Sequence, residues 1–117
     1  MSSARAEVLL RPVIGVDVHP RAVRVRMHGD LDAVVAPRLE RVLAETISDV
    51  AAGPRSPVTR MTIDLEAVDV LAAAGITVLL RARSAAEHQG VECVVCVSAR
   101  GRRTLAMTGL DRVLLRA

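Results

Sequence analysis

The fold is decided by the stretch Met61-Thr-Ile-Asp-Leu-Glu-Ala-Val-Asp-Val-Leu-Ala-Ala-Ala-Gly-Ile-Thr-Val-Leu-Leu80. Residues 61–65 alternate apolar and polar side chains with the period of two that is typical of a β-strand. From Ala74 onward, apolar residues recur at helical spacing. The stretch therefore predicts a strand, a short acidic turn, and a helix that is entered through three alanines and Gly75.

The entrance to this helix has the form of a binding site. The first amide groups of a helix have no intrahelical acceptors, so a strand that leads into a helix forms a place for a partner or an anion. Here the side chains at the entrance are the methyl groups of Ala72, Ala73 and Ala74. A serine or aspartate cap contributes about 1 kcal/mol, and this helix is predicted to lack one unless Asp69 reaches back to it.

The rest of the chain continues the alternation of strands and helices. The other predicted strands cover 13–18, 23–28, 91–97, which is expected to be buried on most of both faces, and 113–115. The other predicted helices run from residue 36 or 37 to 51 and over about 100–108, the latter capped by Ser98. Residues 1–12 are predicted to be a tail and 53–57 a surface loop. The order β-β-α-β-α-β-α-β predicts one α/β domain over 13–117, with a mixed sheet of about five strands and helices mainly on one face.

Composition narrows the possible functions. The chain is 51% apolar with no aromatic residue, and its positive charge comes entirely from arginine. Without aromatic platforms, single-stranded nucleic-acid binding by base stacking is not expected, and scattered arginines with a net charge of only +3 favour no nucleic-acid role. No apolar run is long enough for a membrane span. Because the N-terminus lacks the apolar core of a signal peptide, we expect a cytoplasmic protein.

No residue pattern indicates catalysis, a metal or a cofactor. Cys93 and Cys96 have the spacing of a redox or zinc pair, but they lie inside one strand and are expected to point to opposite faces as buried, inert core cysteines. His19, His28 and His88 lack the spacing of metal ligands. With no nucleophile or acid–base group in a catalytic arrangement, we expect a protein that is not an enzyme.

A cluster of cations lies at the start of the helix predicted over 100–108. Arg100, Arg102 and Arg103 oppose the helix dipole there unless an anion or an acidic partner neutralises them. The cluster is interpreted either as a docking patch or as a solvated helix face.

Two motifs resemble the STAS domain family of anti-sigma factor antagonists. Asp64-Leu65, Val70-Leu71 and Gly75-Ile76 match the family's strand, its Asp-Leu-Ser-like turn and its Phe-Leu-Asp-Ser-Ser-Gly-Leu helix entrance. Gly29-Asp30-Leu31-Asp32 is similar to the Gly-Glu-Leu-Asp that ends the family's second strand. The resemblance implies that Asp32 lies near Ala74, whereas the residues alone leave open that this acidic end only forms a turn and a cap.

The resemblance implies a regulatory role without the usual switch. In switched members of the family the second serine of Asp-Ser-Ser is phosphorylated, and this position is Ala74 here. The implied partner is an anti-sigma factor with serine-kinase activity, and sigma-factor-dependent transcription would be the process controlled. The implied partner-binding residues are Gly29, Asp30, Asp32, Ala72, Ala73, Ala74, Gly75, Ile76 and Thr77.

Other functions remain open at this point. The domain could act as a scaffold that assembles with itself or with other STAS proteins. A small-ligand or nucleotide-binding module is also allowed by the resemblance, although no glycine-rich or aromatic pocket motif supports it. Thr77 is a candidate substitute phosphosite, since it lies near the start of the same helix.

Overall fold

The computed structural model of the chain describes residues 13–52 and 58–115. The predicted tail over 1–12 and the predicted loop over 53–57 lie outside the described residues. The elements are β1 (Val13–Val18), β2 (Ala22–Leu31), α1 (Ala36–Ala52), β3 (Arg60–Leu71), α2 (Ala73–His88), β4 (Glu92–Val97), α3 (Ala99–Met107) and α4 (Asp111–Leu114).

The described strands form one mixed sheet in the order β1-β2-β3-β4. β1 and β2 are an antiparallel hairpin, while β2, β3 and β4 run parallel to one another. The helices lie in a second layer, and the molecule is only 20 Å thick along its shortest axis. The predicted α/β class and mixed sheet are confirmed.

One face of the sheet carries the core. Alternate residues of the three parallel strands are buried against the helices, and they share one apolar cluster with helix residues such as Leu39, Leu43, Leu79 and Leu105. The buried strand residues are Val23, Val25, Met27, Met61, Ile63, Leu65, Cys93 and Val95. The helices therefore cover one face, as the alternation of apolar and polar side chains predicts.

The opposite face of the sheet is polar. Arg26 donates to Asp17 at 2.6 Å across the β1–β2 hairpin, and Arg24 forms an ion pair with Asp64 of β3. These pairs account for the exposed arginines that alternate with the apolar residues of β2.

β3 is longer than predicted. Its pairing with β2 shifts by one residue between Arg26 and His28 and again between Gly29 and Leu31. Each shift places one extra residue in β3, as a β-bulge does. The segment predicted as an acidic turn, residues 66–69, therefore continues the strand, and the core residues after Leu65 are spaced by three, at Val68 and Leu71.

The end of the domain differs from the prediction. Val113 and Leu114 lie in the short helix α4, not in a strand, so the described sheet has four strands. Leu114 is fully buried, and Leu110, four residues earlier, packs against the core. Because a short apolar run satisfies both helical and strand spacing, the residue pattern did not separate the two.

Candidate partner-binding site

Three helices begin at one edge of the sheet. The parallel strands β2, β3 and β4 all end there, and α1, α2 and α3 follow them. We call this edge the C-terminal edge and define it by residues 29–36, 68–77 and 97–101. It brings together all the residues that the sequence implied for partner binding.

Asp32 forms the turn and cap that lead into α1. Its Oδ1 atom accepts hydrogen bonds from the amides of Val34 and Val35, both at 3.0 Å, and its carbonyl accepts from the Ala36 amide at 2.9 Å. The interpretation of this acidic end as a turn and a cap is therefore correct for the Asp32 side chain.

Ser98 caps α3, as predicted. Its Oγ atom accepts from the Gly101 amide at 3.1 Å and lies 3.5 Å from the Val68 carbonyl oxygen. The cap also links the end of β4 to the neighbouring strand, which holds the start of α3 against β3.

The start of α2 has no side-chain cap. Ala72 has the extended conformation of a capping residue, with φ −84° and ψ 165°, but its side chain offers no acceptor. Asp69 does not reach back to take that role. The Ala72 amide donates to the Leu31 carbonyl at 2.9 Å, so a backbone hydrogen bond ties the start of α2 to the end of β2.

Gly75 lets α2 approach β2 closely. A Cβ atom at this position would lie 2.5 Å from Leu31 Cγ and 2.8 Å from Leu31 Cδ2. Any side chain here would push the helix away from the strand, which explains the glycine in the motif. The contact holds the start of α2 against the end of β2.

The implied residues divide by exposure. Asp30, Ala73 and Thr77 are exposed, whereas Gly75 and Ile76 are buried. The two buried residues thus pack under the surface of the C-terminal edge and are not part of that surface. The Thr77 hydroxyl donates to the Ala73 carbonyl at 3.2 Å and remains accessible.

The other implied residues are less exposed. Ala72, Ala74 and Asp32 are half-buried. Gly29 is also half-buried and has φ 101°, a left-handed value that suits glycine, at the second register shift of β2.

Two exposed valines were missed in the sequence. Val34 is 81% exposed in the turn before α1, and Val70 is 46% exposed at the end of β3. Their side chains add exposed apolar surface to the C-terminal edge, beyond that of the residues implied by the resemblance. The sequence signal for Val34 was its position two residues after Asp32, in the predicted turn. The exposure of Val70 depends on the bulges of β3.

The described residues provide no metal site or paired thiols. Among residues 13–52 and 58–115, no group of three or more His, Cys, Asp or Glu is placed to hold a metal ion. Cys93 and Cys96 are free thiols, and their opposite orientation on β4 is as predicted. The prediction that both are buried is wrong for Cys96, which is half-buried because the face of β4 opposite the helices is not covered. Burial raises the pKa of the Cys93 thiol to about 11.

Comparison with known families decides the classification. Residues 14–116 match the family model of the STAS domain. The chain belongs to the STAS domain family. The predicted resemblance is thereby confirmed at the level of the domain. In the part of the STAS domain that the structure describes, no helix is long and apolar enough to cross a membrane.

Solved structures of STAS proteins have the same fold. An anti-sigma factor antagonist from Mycobacterium paratuberculosis matches with 26% identity and a TM-score of 0.71, over 89% of this chain and 83% of that chain. The anti-sigma factor antagonist SpoIIAA matches in its unphosphorylated form with 16% identity and a TM-score of 0.69, over 89% and 86%. The Bacillus cell fate determinant SpoIIAA in its phosphorylated form matches with 16% identity and a TM-score of 0.64, over 89% of each chain.

Proposed function

We propose that this STAS domain is an anti-sigma factor antagonist that binds an anti-sigma factor of the serine-kinase type through its C-terminal edge. The resemblance of its motifs and the similarity to an antagonist of 26% identity support this assignment. The observation that carries the proposal is the uncapped start of α2, which lies between two capped helices and has alanine at 72, 73 and 74, with Ala73 exposed and the other two half-buried.

The apolar character of this surface supports protein binding. Val34, Val70 and Ala73 are exposed at the C-terminal edge. The centres of protein interfaces are more apolar than the rest of the surface and poor in charged residues. A partner that covers these side chains removes their apolar area from water, which favours association by about 25 cal/mol per Å² before the costs of binding are subtracted.

The same surface supports a binding activity that phosphorylation at position 74 does not switch. A phosphoserine there would add about two negative charges to an apolar contact. Ala74 has no hydroxyl to accept a phosphoryl group, so the antagonist remains in its binding state. The nearest hydroxyl on α2 is that of Thr77, one turn further along.

A pull-down from the native cytosol tests both parts of the proposal. The baits are the unchanged chain, the Ala74→Ser variant, and an Ala85→Ser variant as a matched control that places serine on an exposed part of the same helix. Captured proteins are identified by mass spectrometry, and each bait is checked for phosphate. We expect all three to capture an anti-sigma factor with a kinase domain and only Ala74→Ser to gain phosphate.

Three outcomes contradict separate parts of the proposal. Phosphate on Thr77 of the unchanged chain would show that another switch exists. Failure of all three baits to capture a kinase would reject the partner, and a light-scattering mass above one chain would then favour the scaffold function. A Val34→Glu/Val70→Glu variant that is folded by circular dichroism and still captures the kinase would reject the C-terminal edge as the binding surface.

A further inference from the structure

The arginines are spread along the chain, but the net positive charge comes from its last 20 residues. Residues 98–117 contain five arginines and one aspartate, a formal charge of +4, whereas the whole chain carries +3. The other 97 residues therefore carry −1. The net positive charge of the chain therefore comes from the segment that contains α3 and α4.

The geometry of α3 gathers part of this charge on one side. Arg100, Arg103 and Met107 follow one another at spacings of three and four, which places them in a row along the helix. All three are exposed, and Met107 is 89% exposed. Gly101 and Leu105 are buried on the opposite side against the core. We call the row of Arg100, Arg103 and Met107 the α3 basic face.

These arginines have no ion-pair partner in the part of the chain that the structure describes. The ion pairs found there use Arg24, Arg26, Arg60, Arg81 and Arg83, all outside α3 and α4.

The position of the arginines within the helix is also unfavourable. The first turn of α3 contains no acidic residue, so Arg100 and its neighbour Arg102 lie near the positive end of the helix dipole without compensation. A binding partner with negatively charged groups would compensate these arginines and the positive end of the helix dipole.

We propose that the α3 basic face docks an acidic protein segment, with carboxylates on Arg100 and Arg103 and an apolar side chain on Met107. Arginine binds carboxylates through two parallel hydrogen bonds, which favours a defined acidic partner. Methionine is flexible and polarisable, and both residue types are enriched at protein interfaces. This docking surface adjoins the C-terminal edge and shares Arg100 with it, but its argument does not rest on the function proposed for that edge.

Two other classes of partner fit the face less well. A membrane-surface helix inserts its apolar side into the lipid, but Leu105 on that side of α3 is fully buried in the core. Single-stranded nucleic acid is bound by aromatic stacking, and the chain has no aromatic residue. An acidic protein segment needs neither feature.

Fluorescence anisotropy with a defined probe tests the proposal. The probe is a fluorescein-labelled peptide of alternating glutamate and leucine, and its glutamine analogue is the uncharged comparison. We expect the unchanged protein to bind the acidic peptide in about 0.15 M salt, where only close charge contacts escape screening. The Arg100→Glu/Arg103→Glu variant is expected to lose about tenfold or more in affinity, and Met107→Ala about threefold.

The matched control reverses the same number of positive charges at positions outside α3. Arg21 and Arg41 are exposed and lie outside α3, so Arg21→Glu/Arg41→Glu should bind within about twofold of the unchanged protein. Circular dichroism establishes that each variant is folded. Absence of binding, equal loss in both double variants, or equal binding of the glutamine analogue would overturn the proposal. Tighter binding of duplex DNA or of phosphatidylserine vesicles would overturn it in favour of those partners.

Discussion

Gly75 and Leu31 are in such close contact that no side chain fits between them. A Cβ atom on Gly75 would lie 2.5 Å from Leu31 Cγ and 3.2 Å from the Leu31 carbonyl oxygen. Leu31 is completely buried, and its carbonyl accepts from the Ala72 amide, so neither group is free to move aside. The contact between the end of β2 and the start of α2 determines the shape of the C-terminal edge.

We expect Gly75→Ala to destabilise the domain. The added methyl group overpacks the contact, which typically lowers the free energy of unfolding by about 1–3 kcal/mol. The better helix propensity of alanine offsets about 1 kcal/mol of this loss. Urea unfolding followed by circular dichroism measures the difference.

A second variant tests the cause of this loss. Leu31→Ala removes the side chain that the new methyl group meets, so Gly75→Ala should cost less in the Leu31→Ala background than in the unchanged protein. An equal cost in both backgrounds would show that the Leu31 side chain is not responsible.

The missing cap of α2 predicts a stabilising substitution. Ala72 already has the backbone conformation of a capping residue, so Ala72→Ser should add a hydrogen bond to the first turn and raise stability by about 1 kcal/mol. Ser98→Ala, which removes an existing cap from α3, should lower it by a similar amount. Thermal unfolding would then show opposite shifts of a few degrees. An Ala72→Ser variant without a higher Tm would contradict the prediction.

The two thiols should react at different rates. Burial raises the pKa of Cys93 to about 11, so almost no thiolate forms at pH 8 in the folded protein. Cys96 lies on the polar face of the sheet and is only partly buried, although burial and the nearby Asp64 and Glu66 also raise its pKa. We therefore expect slow labelling of Cys96 by iodoacetamide at pH 8, faster at pH 9, with Cys93 protected.

Single-cysteine variants check this assignment. Cys96→Ser should abolish labelling of the folded protein, whereas Cys93→Ser should leave it unchanged. In urea, where both cysteines are exposed, each variant should be labelled once. Rapid labelling of Cys93 without denaturant would contradict its burial.

Asp64 should make stability depend on pH. Burial raises the pKa of its carboxyl group, but the Glu66 amide at 3.0 Å and the Arg24 guanidinium outweigh this, and the pKa lies below its ordinary value. A carboxyl group whose pKa is lower in the folded state stabilises that state above the unfolded pKa of about 3.9. The contribution is lost as the pH falls through the folded value.

Asp64→Asn isolates this charge. The asparagine oxygen still accepts from the Glu66 amide, but the ion pair with the partly exposed Arg24 is lost, so we expect a cost of about 0.5–1 kcal/mol at pH 7. The cost should shrink as the pH falls below the unfolded pKa of about 3.9 and vanish once Asp64 is protonated in the folded state as well. Asp49→Asn, an exposed change on α1, is the control and should stay within about 0.5 kcal/mol. A cost of Asp64→Asn that is equal at pH 7 and pH 3 would contradict the role of the charge.

Much of the candidate site could be predicted from its motifs. The strand–helix order placed Gly29–Asp32 and Ala72–Thr77 in one region, because parallel strands end at the same edge of a sheet. The exposure of Val34 and Val70 could not be predicted in this way. It depends on how the chain turns before α1 and on the extra residues that the bulges place in β3.

The sequence by itself determined the α/β order, the buried face of β2 and of the first half of β3, the cap at Ser98 and the opposite orientation of the two cysteines. These features follow from local periodicity and from hydrogen bonds between near neighbours. Only the tertiary structure decided the length of β3 and the helical end of the domain. The pairing of β3 with β2 determines where the extra residues of β3 lie. At the end of the domain, the packing of Leu110 and Leu114 against the core favours a helix over a strand. Both depend on contacts between residues that are distant in the chain.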